Sequence, residues 1–209
     1  MTEPHPHDVL ASTLGGIDVY LLDQIVKGRL RDRSRVLDAG CGSGRNLLYL
    51  LRSGHDVCGV DPDAARIATL RERAAVLRPD LPPERFQVGR VEEVDLGPEE
   101  SFDVVISNAV LHFAESVAAF ESILMGSWRY LAPGGLFFCR LASTIGIEEH
   151  VTPLGEGQFQ LGDGSQRFLV TQDDLLRWTR DLGGRLIEPI KTTNVQNLRA
   201  MTTWVLERD

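Results

Sequence analysis

Asp38 stands at the end of an apolar run, immediately ahead of glycines at 40, 42 and 44, in the stretch VLDAGCGSGRN (36–46). Alternate glycines let a backbone turn sharply and approach a ligand closely. The aspartate sets the sign of that ligand. Dinucleotide loops use G-x-G-x-x-G and seat a pyrophosphate on a helix N-terminus. Here the spacing is G-x-G-x-G, one residue short, and a carboxylate at position 38 would repel a pyrophosphate. It would favour a cation, because opposite unit charges about 4 Å apart gain a few kcal/mol at a surface-like dielectric.

S-adenosylmethionine carries a sulfonium and an α-ammonium and has no phosphate, so it matches that sign. Asp61, about 20 residues beyond Gly40, is placed to accept from ribose hydroxyls. That contact serves a dinucleotide equally well, and Asp61 could instead cap a helix whose first turn holds Pro62. His112 follows an apolar run and has an ordinary pKa near 6.5, suited to proton transfer at neutral pH. Packing against a helix start is an equally open role for it. His5 and His7 have no third ligand nearby in sequence, and no metal site is expected.

These residues need a frame. The runs 35–39, 56–61, 85–89, 102–107 and 136–142 read as buried strands. Between them lie helical stretches at 45–54, at 64–77 with Ile67, Leu70, Ala74 and Leu77 on one face, and a long one marked by Val117, Phe120, Leu124 and Leu131, ended by the APGG turn at 132–135. Alternating strands and helices predict a parallel sheet covered on both faces, with ligands at the strand C-termini. Ile17, Leu21, Ile25 and Gly28 mark a helix before the first strand, and the first dozen residues are expected to be mobile. Residues 158–170 predict a hairpin turning at Gly162-Asp163-Gly164, and Thr171 with Asp174 a capping box. LIEPI (186–190) and MTTWVLE (201–207) predict two closing antiparallel strands, joined by an unusually polar segment within 191–204.

VLDAGCGSGRN, VCGVDPD, FDVVISNAVLHFAES and LAPGGLFF together resemble successive motifs of the class I S-adenosylmethionine-dependent methyltransferases. The resemblance covers residues 15–142 and implies a Rossmann-like, doubly wound, seven-stranded and mostly parallel sheet in a three-layer αβα sandwich. Its last strand would be antiparallel, between the fifth and sixth. It implies one domain over 1–209, with 1–25 as an N-terminal cap and 144–170 as a lid. Asp38, Gly40, Cys41, Gly42 and Gly44 would hold the methionyl end, and Asp61 with Pro62 the ribose. Arg90, Val91 and Glu92 would flank the adenine, and Asn108 would lie by the sulfonium. Many relatives have an aspartate where Arg90 stands; arginine cannot accept from the adenine amino group, so backbone groups or Glu92 would take over.

The implied activity is methyl transfer by in-line displacement to a small molecule, with S-adenosylhomocysteine as product and His112 as candidate base. The proline-rich, tyrosine-ended motif of relatives that methylate nucleic-acid bases is missing. The net charge of -8 also argues against nucleic acid. Tyr20, His112 and Phe113 are candidate acceptor contacts, with Phe159 and Phe168 as further apolar walls. No run approaches the roughly 18 apolar residues of a membrane span, and the three cysteines form no C-x-x-C pair. A cytoplasmic monomer or homodimer is expected. Two other functions stay open: an NAD(P)-dependent oxidoreductase, and a non-catalytic S-adenosylmethionine-binding protein.

Overall fold

The computed structural model describes residues 5–209. Its elements are α1 (Pro6–Leu14), α2 (Val19–Val26), β1 (Arg35–Ala39), α3 (Leu47–Arg52), β2 (Asp56–Asp61), α4 (Ala64–Leu77), β3 (Phe86–Val88), β4 (Phe102–Asn108), α5 (Val117–Trp128) and β5 (Leu131–Ala142). They continue with β6 (Thr152–Gly155), β7 (Gln158–Gln160), β8 (Gln166–Phe168), α6 (Gln172–Asp181), β9 (Gly184–Leu186), β10 (Lys191–Val195) and β11 (Arg199–Arg208).

The main sheet runs β3-β2-β1-β4-β5-β11-β10, with β9 also on β11. The first five strands are parallel, and β11 lies antiparallel beside β5. Alternate strand residues supply two cores. Leu37, Val105 and Phe137 face a cluster with Phe120, Trp178 and Trp204. Val36, Val104 and Phe138 face one with Leu21, Leu47 and Leu70. A sheet apolar on both faces needs a helical layer on each, which gives the αβα sandwich. β6, β7 and β8 form a separate antiparallel sheet. It rests on the turn Leu111–Phe113, where Gln158 donates to the Ala114 carbonyl. No single described helix is long and apolar enough to cross a membrane.

The expected strands occur in the expected order, with local differences. Pro6–Leu14 is helical where a mobile tail is expected. Leu131 opens β5 rather than closing the preceding helix: the strand runs through Pro133 and Gly134 with a register shift against β4. The sixth strand is split. β9 and β10 occupy successive stretches of the β11 edge on either side of Pro189, which gives eight strands rather than seven. Part of the polar segment is therefore strand. β10 is a sheet edge, where Thr192 bonds Thr202 at 2.7 Å and Thr193 bonds Tyr20 at 2.6 Å. Gln196 and Asn197, both with positive φ, then close the hairpin.

Helix α5 comes close to the turn after β3. A Cβ on Gly126 would lie 2.7 Å from the Glu92 Cα, a backbone contact that no rotamer change relieves. Gly126→Ala is expected to destabilise the fold by about 1–3 kcal/mol, read as a lower Tm. An unchanged Tm would contradict this packing.

Candidate functional site

β1 ends at Ala39 and the chain turns at once, with Gly40 and Cys41 both donating to the Val60 carbonyl, at 2.8 and 3.0 Å. Gly40 and Gly44 have φ of +86° and +85°, and a Cβ would sit 2.2 Å from Val110 Cγ2 at the first and 2.4 Å from Leu70 Cδ1 at the second. At both positions the left-handed backbone and the neighbouring side chain oppose a Cβ. Cys41 joins the loop through its backbone, while its sulfur is buried against Gly59. Burial pushes that thiol far up, so it is no nucleophile.

Asp38 is 1% exposed. Its pairing with Gly59 and Ile106 fixes it in mid-sheet. Both carboxylate oxygens are buried without a hydrogen-bond partner among the described residues. Burial raises its pKa to about 7; the nearby Arg45 charge lowers it, the Asp61 charge raises it, and the neighbouring Asn46 side-chain amide, too far or misaligned for a full hydrogen bond, lowers it slightly. A buried carboxylate left without a donor is costly. The orphaned group fits an ammonium, as the S-adenosylmethionine implied by the sequence would supply.

Asp61 closes β2. Its Oδ2 accepts from Gly42 N–H and its Oδ1 from Asp63 N–H, each at 2.9 Å. It therefore braces the glycine loop. The cap of α4 is Asp63, accepting from Ala65 and Arg66, so Pro62 precedes the helix instead of opening its first turn. A carboxylate offers about four lone-pair sites, which leaves Asp61 free to accept from a ligand as well. Asp61, Pro62, Arg90, Val91 and Glu92 line one cleft of about 360 Å³ with Gly40. Arg90 turns toward Glu92, 3.7 Å away, and is itself largely exposed. Glu92 thus supplies a carboxylate to this cleft beside Arg90.

A second cleft, of about 440 Å³, holds Asn108, His112 and Arg140. Ala109 and Phe113 line both clefts. Ala109 has φ of +61°, an uncommon conformation for a residue with a side chain. Its N–H donates to the Arg140 carbonyl at 2.8 Å. Asn108 is buried, with both amide atoms unpartnered among the described residues. His112 Nδ1 accepts from Ala142 N–H at 3.3 Å. Burial, then the Arg167 charge, lowers its pKa to about 4. At neutral pH the ring is uncharged, its Nδ1 lone pair is engaged, and its proton lies on Nε2.

The aromatic candidates separate. Phe113 is 61% exposed at the junction of the clefts. Tyr20 lines neither: its hydroxyl bonds Thr193 and Arg140 lies over its ring. Phe168 stacks on Phe120 in the core, and Phe159 packs with Leu161 and Leu169. Sequence reasoning missed Asp18, Arg140, Arg167 and Arg199. These stand on four separate elements, so no local spacing signals them.

Residues 37–139 match the family model for a methyltransferase domain. An uncharacterized methyltransferase of Synechocystis is 34% identical over 103 residues, 49% of this chain and 44% of that protein. A ubiquinone biosynthesis O-methyltransferase of Bradyrhizobium is 35% identical over 102 residues, 49% of this chain and 37% of that protein. The chain spans less than half the length of these relatives. The crystal structure of a 1,6-didemethyltoxoflavin-N1-methyltransferase from Burkholderia thailandensis, with bound 1,6-didemethyltoxoflavin and S-adenosylhomocysteine, superposes with a TM-score of 0.65. The superposition covers 100% of this chain and 93% of that one, at 22% identity. It shows a shared fold.

The orphaned carboxylate has a measurable cost. An unfolded aspartate titrates near 3.8 and this one near 7, so as pH rises through that window the unfolded chain loses the proton first and stability falls. The difference amounts to on the order of 4 kcal/mol. Asp38→Asn is expected to raise the Tm of the ligand-free protein at pH 8 and to remove that slope. A lower Tm at pH 8 would contradict the absence of a partner.

Proposed function

We propose that this chain, whose residues 37–139 match the family model for a methyltransferase domain, transfers a methyl group from S-adenosylmethionine to a small molecule. The observation that carries this reading is the partnerless Asp38 carboxylate beside the glycine loop. Bound S-adenosylmethionine supplies an electrophilic methyl on a positively charged sulfur. The remaining work falls to the protein. Asp38 holds the ammonium, and the loop through Gly40, Gly42 and Gly44 lets the methionyl end lie close to backbone. Asp61 accepts from the ribose hydroxyls, and Val91 and Glu92 border the adenine. Asn108 lines the second cleft, next to Ala109 where the two meet, with amide atoms unpartnered among the described residues to orient the reacting groups. The lid reading of 144–170 is supported by Leu161, Asp163 and Arg167, which border the second cleft.

His112 takes a different part from that of a base. Its free position carries a hydrogen, so it donates to the acceptor and orients it. The acceptor then arrives already nucleophilic or loses its proton to water. Transfer in this mode relies on alignment and exclusion of water.

The dinucleotide reading fares worse. Gly42 N–H, a donor a phosphate would need, is taken by Asp61, and two carboxylates flank the loop. A binding protein without turnover would have a closed second cleft, whereas here the cleft at His112 is open, with polar and apolar groups both lining it.

Calorimetry on the purified protein is expected to show saturable S-adenosylhomocysteine binding at or below millimolar concentration, and none for NADH. The reverse result would overturn the proposal. With an acceptor found from a panel, His112→Gln, which keeps a donor, is expected to hold kcat within about tenfold. A base would be worth about 10²–10⁴-fold, so a loss of that size in His112→Gln would restore the base role.

A further inference from the structure

The second cleft carries a charge distribution that methyl transfer alone does not require. Four guanidinium groups line it, those of Arg45, Arg140, Arg167 and Arg199, against one carboxylate, Asp163. Asp18, behind the wall, accepts from Arg140 at 2.9 Å and lies 3.8 Å from Arg45. Asp163 lies 4.0 Å from Arg199. Bonds from Ser165, then the charges of Arg199 and Arg167, hold its carboxyl below the usual range. Asp18 and Asp163 pair with three of the four guanidiniums and Asp38 also senses the Arg45 charge, which still leaves a positive excess inside a chain of net charge -8.

Donors on these cations are unused: among the described residues Arg199 has only the 4.0 Å pair with Asp163. Arg167 makes no ion pair among the described residues. Its guanidinium lies 5.0 Å above the Phe113 ring, and one nitrogen donates to the Gln166 carbonyl at 2.6 Å. Arg140 Nε is buried without a hydrogen-bond partner among the described residues. A guanidinium has five N–H donors in a fixed fork, matched to a carboxylate or phosphate. Like charges gathered on a concave surface focus the field toward an anion. Leu161 and Met201 give the same cleft an apolar wall, and its volume is that of a small-molecule site.

We propose that the acceptor is a small organic anion, its carboxylate or phosphate held by Arg167 and Arg199 and its apolar body against Leu161, Met201 and Phe113. The word acceptor rests on the methyltransferase reading; the anion site does not.

The test uses the full chain saturated with S-adenosylhomocysteine, titrated with benzoate, phenyl phosphate and neutral benzamide. Failure of S-adenosylhomocysteine itself to bind is seen first and counts against the methyltransferase reading; the anion titration is then run on the protein alone. At least one anion is expected to bind at least tenfold tighter than benzamide, and the stronger of the two names the head group. Arg199→Gln, on a strand away from the glycine loop, is expected to weaken that anion about tenfold while leaving S-adenosylhomocysteine affinity and Tm unchanged. Arg167→Lys, which keeps the charge and loses the fork, is expected to fall between. Equal binding of benzamide, no binding of either anion, or an Arg199→Gln protein that holds the anion as tightly as the parent would overturn the proposal.

Discussion

A carboxylate buried in the middle of a sheet, with no hydrogen-bond partner among the described residues, is the constraint from which the site follows. Asp38 cannot swing out to water, because β1 is hydrogen-bonded on both sides and pinned between two apolar cores. It cannot be answered by the loop, because Gly42 N–H is turned to Asp61. Folding therefore leaves a negative group that the Arg45 charge and the Asn46 amide only partly offset among the described residues, and on the proposed function the ligand's ammonium completes it. The glycines that follow, two of them at left-handed positions where a neighbouring side chain opposes a Cβ, keep the backbone low enough for that cation to reach it.

The two clefts divide along charge. The first is lined by Asp61, Asp63 and Glu92 together with Arg66 and Arg90, and the second by four arginines and the single carboxylate of Asp163. They meet at Ala109, whose left-handed backbone is held by the Arg140 carbonyl and is followed by Val110, packed against Gly40. With the anionic acceptor inferred above, the donor and the acceptor would occupy adjoining spaces of which the second is the more positive. His112, neutral and facing the second cleft, adds direction without adding charge.

The frame was legible because the signals are local. RVLDA and DVCGVD are strands with the bounds read from their apolar runs, and the Thr171–Asp174 capping box forms as its spacing predicts. The glycine loop and Asp38 could be read for the same reason: strand, charge and turn are neighbours in the chain. What escaped depends on contacts between distant residues. Lys191–Val195 is polar because it is an edge strand whose threonines bond across to Thr202 and Tyr20. Leu131 shares the helical spacing yet belongs to β5, where pairing with Phe102 outweighs it. The tautomer of His112 is set by a backbone N–H thirty residues away. The arginines of the second cleft come from α3's approach, β5, β8 and β11, and only the folded chain gathers them.

The most direct measurement is the titration of the Asp38 side-chain carboxyl carbon by NMR, in the free protein and with S-adenosylhomocysteine, whose ammonium is the same. The account predicts a midpoint near 7 in the free protein that falls into or below the ordinary aspartate range, near 4, once the ligand is bound. A free-protein midpoint already near 4, unmoved by saturating ligand, would mean that this carboxylate has a partner within the fold, and the cation-selecting site would be refuted.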